Sequence, residues 1–146
     1  MSEQANVRTI QEAYSLFKNG DLENLLKMLS DDVEWITPGP PELMPVAGNR
    51  RGREEVAEFF STLNEQEDVE LFEPQEYIAQ GDKVVALIKY RARVKATGQI
   101  AAADLVHIFT FAGGKINHFR EYYDTAAVLD AYQTPAMQRS TTAKTP

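Results

Sequence analysis

The chain has no cysteine, which removes disulfides, thiolate metal sites and cysteine nucleophiles together. Histidine is scarce too, at two residues, and tryptophan occurs once in 146 residues. Imidazole chemistry therefore rests on His107 or His118. Positive charge is in deficit, with 15 Lys and Arg against 22 Asp and Glu and a formal net charge of −7. A nucleic-acid or anionic-membrane partner, which selects for a basic face, is not expected. The basic residues gather only in "NRRGR" (49–53) and at the alternating positions Lys89, Arg91, Arg93 and Lys95; both read as solvated surface or interface. No apolar run approaches the roughly 20 residues that span a bilayer, and the opening "MSEQANVRTIQEAY" lacks an apolar signal core. The expectation is a soluble, cytoplasmic protein. The sequence also lacks a Walker-type motif, a glycine-rich phosphate loop and a Ser-His-Asp order, and "AGG" (112–114) reads as a hairpin turn.

What is present is the composition of a globular domain, 43% hydrophobic, at a length that supports a real core. Val7, Ile10, Tyr14 and Phe17 recur at helical spacing over 4–18. "NGD" (19–21) stops that helix, and Asp21 caps a short second one over 22–29 with Leu22, Leu25, Leu26 and Leu29 on its buried stripe. A strand over about 32–37 ends at prolines. A long loop (38–52) follows, whose Leu43, Met44 and Val46 suit either a pocket wall or packing on the core. Val56, Phe59, Phe60 and Leu63 define a third helix over 53–63. Strands are expected at about 69–79, 82–96, 99–112 and 115–124, with turns at "QGD", "TGQ" and "AGG". A closing helix over 124–132 is capped by Asp124 or Thr125. The domain is expected to occupy 1–132, with 133–146 as a mobile polar tail. Asp31, Asp32 and Asp104 read first as cap or turn residues. Helices followed by a run of antiparallel strands make an α+β pattern.

In order and spacing, "NGDLENLLKMLSDDVEW", "PG…AGNRRGREEVAEFF", "IAQGDKVVAL", "ATG" and "HIFTFAGGKINHFREYYDTAA" resemble the nuclear transport factor 2-like superfamily. Within it they are similar to the SnoaL-like, ketosteroid-isomerase-related group, over residues 5 to about 132. The resemblance implies a cone: a curved mixed/antiparallel sheet wrapped around three helices from the N-terminal half, a cystatin-like α+β barrel roll. It further implies an internal pocket and a homodimer through the convex sheet face. The family holds both enzymes and non-catalytic binders, so the site residues must carry the function.

Steroid isomerases use an aspartate base with an oxyanion hole of a tyrosine and a protonated acid. Set against them, the base position falls on Thr37, the tyrosine position on Ala13 and the acid position on His107. Tyr14 lies one residue off and is expected to be rotated away. Threonine cannot replace a carboxylate base, so genuine ketosteroid isomerase activity is not expected. In SnoaL-like cyclases the resemblance implies an acidic general acid/base on the last strand with a strand histidine, matched here by Glu121 and His107.

Whether these two share a face depends on the hairpin between them. A three-residue loop Ala112-Gly113-Gly114 would pair Phe111 with Lys115, set Phe119 opposite His107 and leave Glu121 diagonal to it on the same face. A two-residue Gly113-Gly114 turn would shift the register by one and send Glu121 to the other side. Periodicity leaves both open. The resemblance favours one pocket, since positions matching Phe119, Glu121 and Tyr123 line it in the isomerases.

Glu121 is thus the candidate general acid/base and His107 its proton partner or carbonyl polariser. Trp35, Thr37, Phe59, Tyr90, Phe109, Phe119 and Tyr123 are the candidate substrate-contacting residues. An apolar cavity would raise a carboxylate's pKa towards neutrality and suit it to remove a proton beside a carbonyl. That step is common to isomerisation, aldol-type cyclisation and dehydration, and needs no cofactor. Each residue also has a structural reading: His107 as a satisfied core histidine, Glu121 in an ion pair with a strand lysine such as Lys89, the aromatics as core. His118 reads as solvent-facing. No metal site is expected, because His107 and His118 face opposite sides. The expected partner is a small hydrophobic molecule, whether as substrate of an isomerase, cyclase or lyase or as the ligand of a non-catalytic binder.

Overall fold

A computed structural model describes residues 2–134; all but the first two residues of the expected tail lie outside them. The elements run α1 (Glu3–Lys18), α2 (Leu22–Lys27), β1 (Leu29–Thr37), β2 (Gly48–Arg51), α3 (Gly52–Gln66), β3 (Glu67–Gln80), β4 (Lys83–Val94), β5 (Ile100–Ala112), β6 (Lys115–Tyr122) and α4 (Thr125–Tyr132). The strands form a six-stranded sheet in the order β2-β1-β6-β5-β4-β3. Only β1 and β6 pair in parallel; the other neighbours are antiparallel. The sheet is curved and does not close, and register shifts in β3 mark two places where such a strand bends. This is the α+β architecture expected from the sequence, with three helices from the N-terminal half.

Local chemistry explains most boundaries. Ser2 caps α1 through Ala5, Asp21 caps α2 through Asn24 and Asp124 caps α4 through Ala127, each side chain taking up a backbone N–H orphaned at a helix start. α2 ends two residues earlier than its leucine stripe suggests, because Leu29 is taken into β1. The expected long loop is only half a loop: Gly48–Arg51 pairs with Glu34–Thr37 as an edge strand. Its bases are tied down rather than free. Arg51 pairs with Glu34, and Arg53 with Asp31 and the Leu29 carbonyl. The basic stripe of β4 is likewise met by acids of β3, Arg91 and Arg93 by Glu70 and Lys95 by Asp68. Asp31, Asp32 and Asp104 are strand residues of β1 and β5, not caps or turns.

The main core lies between the concave sheet face and the helices, with Ile10, Val33, Val56, Phe59, Ile88 and Phe119 among its buried members. A second cluster joins Met44 and Ala47 to Val94, Ala101, Val128 and Tyr132, and holds α4 on the end of β4 and β5. Among the described residues no helix is long and apolar enough to cross a membrane.

Candidate functional site

The site begins with the β5–β6 hairpin. Ala112 pairs with Lys115, so the turn is the two-residue Gly113-Gly114. Both glycines have positive φ, 57° and 77°, as a type I′ turn requires. That turn alone would send Glu121 to the far face. It does not, because Phe111 pairs with Ile116 while Thr110 pairs with His118. Asn117 is therefore an extra residue, a bulge that restores the parity of β6. Phe109 then meets Phe119, and His107 meets Glu121 directly rather than diagonally. The shared face was expected; the register producing it was not.

His107 Nε2 lies 2.7 Å from Glu121 Oε2, and His107 Nδ1 lies 2.8 Å from the Tyr14 hydroxyl. The histidine is 6% exposed, so both ring nitrogens are satisfied where water hardly reaches. An ionised Glu121 only accepts, so Nε2–H donates to it; Nδ1 of a neutral ring then accepts from Tyr14. Burial pushes the Tyr14 phenol well above its ordinary value of 10, with Tyr77 and Glu121 adding to the effect, so it stays protonated. Tyr14 is not rotated away. It lies on the same helical stripe as Ile10, as the spacing of α1 requires, and the offset inferred from the isomerases was misleading. Among the described residues Glu121 pairs with His107 and not with a lysine. His118 faces elsewhere and pairs with Glu34 at 3.3 Å.

Tyr14, His107 and Glu121 line a cavity of about 90 Å³ within the concave side of the sheet. The nine residues expected at the site all border it. Trp35 stacks on Phe119 with ring centroids 3.9 Å apart, and Phe59 and Phe109 extend that aromatic wall. Tyr123 borders the cavity and donates to the Pro38 carbonyl at 2.8 Å, fixing the end of β6 to the chain after β1. Thr37 is 3% and Trp35 5% exposed, yet Thr37 Oγ1 and Trp35 Nε1 have no hydrogen-bond partner among the described residues. Buried polar atoms in that state cost about 1–3 kcal/mol each unless something else satisfies them.

Among the further lining residues, the acid Glu67 has no counterpart in the expected site. Glu67, where α3 passes into β3, is 5% exposed. It accepts from the Tyr90 hydroxyl at 2.5 Å and from the Tyr132 hydroxyl. Burial raises its carboxyl above the ordinary 4.5; the two phenol bonds act in the opposite direction and Glu121 adds to the rise. No sequence signal points to it, since "NEQEDVE" looks like a solvated acidic run. Among the described residues no group of three or more His, Asp or Glu is placed to hold a metal ion, and the cavity lining includes no Lys or Arg.

The sequence model of the SnoaL-like domain family matches residues 10–119. An NTF2-like protein from Burkholderia xenovorans has a solved structure that superposes with a TM-score of 0.84, at 33% identity, covering 91% of this chain and 99% of that one. The structure of TerC co-crystallised with polyporic acid superposes with a TM-score of 0.76, at 27% identity, covering 87% and 97%. An uncharacterized protein of Mycobacterium tuberculosis is 24% identical over 132 residues, 90% of this chain and 98% of the relative.

Proposed function

The chain belongs to the SnoaL-like domain family, and from that premise we propose that it carries out cofactor-independent general acid/base chemistry on a small apolar carbonyl compound. The observation that carries this reading is the chain Tyr14–His107–Glu121, with bonds of 2.8 and 2.7 Å, ending at the wall of a largely apolar cavity. Glu121 is the base. It takes a hydrogen from the carbon next to the substrate carbonyl; the C–H electron pair passes into the enolate, and negative charge gathers on oxygen. Trp35 N–H and the Thr37 hydroxyl are buried, unpartnered donors that suit that oxygen. Return of the proton from Glu121 to another carbon gives isomerisation. Loss of a β-hydroxyl, which takes the proton from Glu121 and leaves as water, gives dehydration, and attack of the enolate carbon on a second carbonyl, whose oxygen takes that proton, gives cyclisation.

His107 is a positioning residue in this scheme: it fixes one oxygen of Glu121, and Tyr14 fixes His107. Substrate size follows from the cavity. An apolar cavity of about 150 Å³ admits benzene; at about 90 Å³ this one sets an upper bound of a small ring or short chain and excludes a steroid.

The second reading is a non-catalytic binder of a small hydrophobic molecule. What favours it is that both His107 nitrogens are already committed, as in a network built for rigidity. The two separate in D2O. The protein should exchange the α-hydrogens of a small ketone such as cyclohexanone faster than buffer does; exchange at the buffer rate with binding intact would leave only the binder.

A further inference from the structure

The hydrogen-bonding capacities of the cavity wall differ from one side to the other. Trp35 and Thr37 stand on β1, and their buried Nε1 and Oγ1 have no hydrogen-bond partner among the described residues. A tryptophan N–H can only donate, and the threonine hydroxyl can donate as well; this side suits an acceptor. Glu67 at the start of β3 and Tyr90 on β4 border the cavity on the far side of β6 and β5 in the sheet order, and Tyr132 of α4 joins them through Glu67. There both phenol protons are spent on Glu67. A carboxylate has about four acceptor sites and each phenol oxygen retains a lone pair, so this side has acceptors to spare and its phenol donors are used. His107 and Glu121 lie between the two, on β5 and β6.

We propose that the Glu67–Tyr90–Tyr132 cluster is a second binding subsite that accepts a hydrogen bond from a hydroxyl on the substrate, so that the substrate class is a hydroxy-carbonyl compound. The assignment rests on the reading above, in which the carbonyl lies at Trp35 and Thr37 and the reacting carbon at Glu121. Along a flat sheet β1 and β4 would be about 14 Å apart at 4.7–4.9 Å per strand; here Trp35, Thr37, Glu67 and Tyr90 border one cavity.

Trp35 is the only tryptophan and borders the cavity, so its fluorescence follows occupancy without a label. Cyclohexanone, 4-hydroxycyclohexanone and 4-aminocyclohexanone are titrated into the full chain and into Glu67→Gln. The hydroxyketone should bind wild type about tenfold more tightly than cyclohexanone, the size of a hydrogen bond to a carboxyl group. In folded Glu67→Gln the ratio of hydroxyketone to cyclohexanone affinity should fall towards one. Equal affinity of the two ketones for wild type overturns the subsite, and so does an undiminished preference in the variant. Tighter binding of the aminoketone overturns the hydroxyl assignment. Should the variant not fold, the wild-type comparison still decides. Cyclohexanone binding and exchange without a hydroxyl preference removes the subsite and leaves the proposed chemistry; binding of neither ketone removes both.

Discussion

His107 and Glu121 face each other as direct cross-strand partners on the concave side of the sheet, Nε2 to Oε2 at 2.7 Å, with Tyr14 completing the contact from α1 on the other ring nitrogen. The imidazole on β5 is thus held by its neighbour β6 and by α1, 93 residues away. With only two histidines in the chain, ¹⁵N-histidine NMR resolves it cleanly. His107 should show a protonated, solvent-protected Nε2 and an accepting Nδ1. Tyr14→Phe should shift Nδ1, leave Nε2–H in place and destabilise the fold by about 1–3 kcal/mol, the cost of stranding a buried acceptor. An Nδ1–H tautomer in wild type, or no Nδ1 change in Tyr14→Phe, would contradict the assigned bonds.

The bulge at Asn117 makes the pair possible. Deleting Asn117 removes the extra residue and leaves Thr110 opposite His118, Phe109 opposite Phe119 and His107 opposite Glu121 in a regular ladder on the same Gly113-Gly114 turn. The deletion variant should therefore fold with the His107–Glu121 contact in place, read as an unchanged protonated Nε2 in the ¹⁵N-histidine spectrum. Loss of that signal, or a variant that does not fold, would show that the register is not fixed this way.

Glu67 predicts a pH effect of definite sign. Its folded-state pKa is raised by burial above 4.5. Below that value the carboxyl is protonated in both states and its contribution to stability is fully present. As pH rises past 4.5 the unfolded chain ionises first, and the contribution is lost as pH climbs through the folded value. Glu67→Gln removes this loss, so the stability difference between variant and wild type should move in the variant's favour as pH rises through that window. A difference that is flat with pH, or one that moves the other way, would mean that the two phenols outweigh burial.

Much of this architecture follows from local pattern. The stripe through Ile10, Tyr14 and Phe17 fixes the inner face of α1, and it placed Tyr14 correctly where a one-residue offset taken from related enzymes did not. The β2 strand was hidden because "GNRR" has neither apolar alternation nor β-branched residues; it forms because the edge of β1 is open to it. The bulge left no mark, since β6 mixes polar and apolar residues on both faces and parity alone could not be counted. Glu67 was invisible for a different reason. An acid inside a run of acids reads as solvated, and only Tyr90 and Tyr132, 23 and 65 residues away, make its burial tolerable.

The exchange rate of cyclohexanone α-hydrogens in D2O, compared between wild type and Glu121→Gln, bears most directly on the central claim. Glutamine keeps the shape and removes the base, and circular dichroism confirms that the variant is folded. Positioned general bases contribute roughly 10²–10⁴-fold, so protein-dependent exchange should fall by about that factor, to near the buffer rate. A folded Glu121→Gln that exchanges as fast as wild type would contradict the assignment of Glu121 as the base.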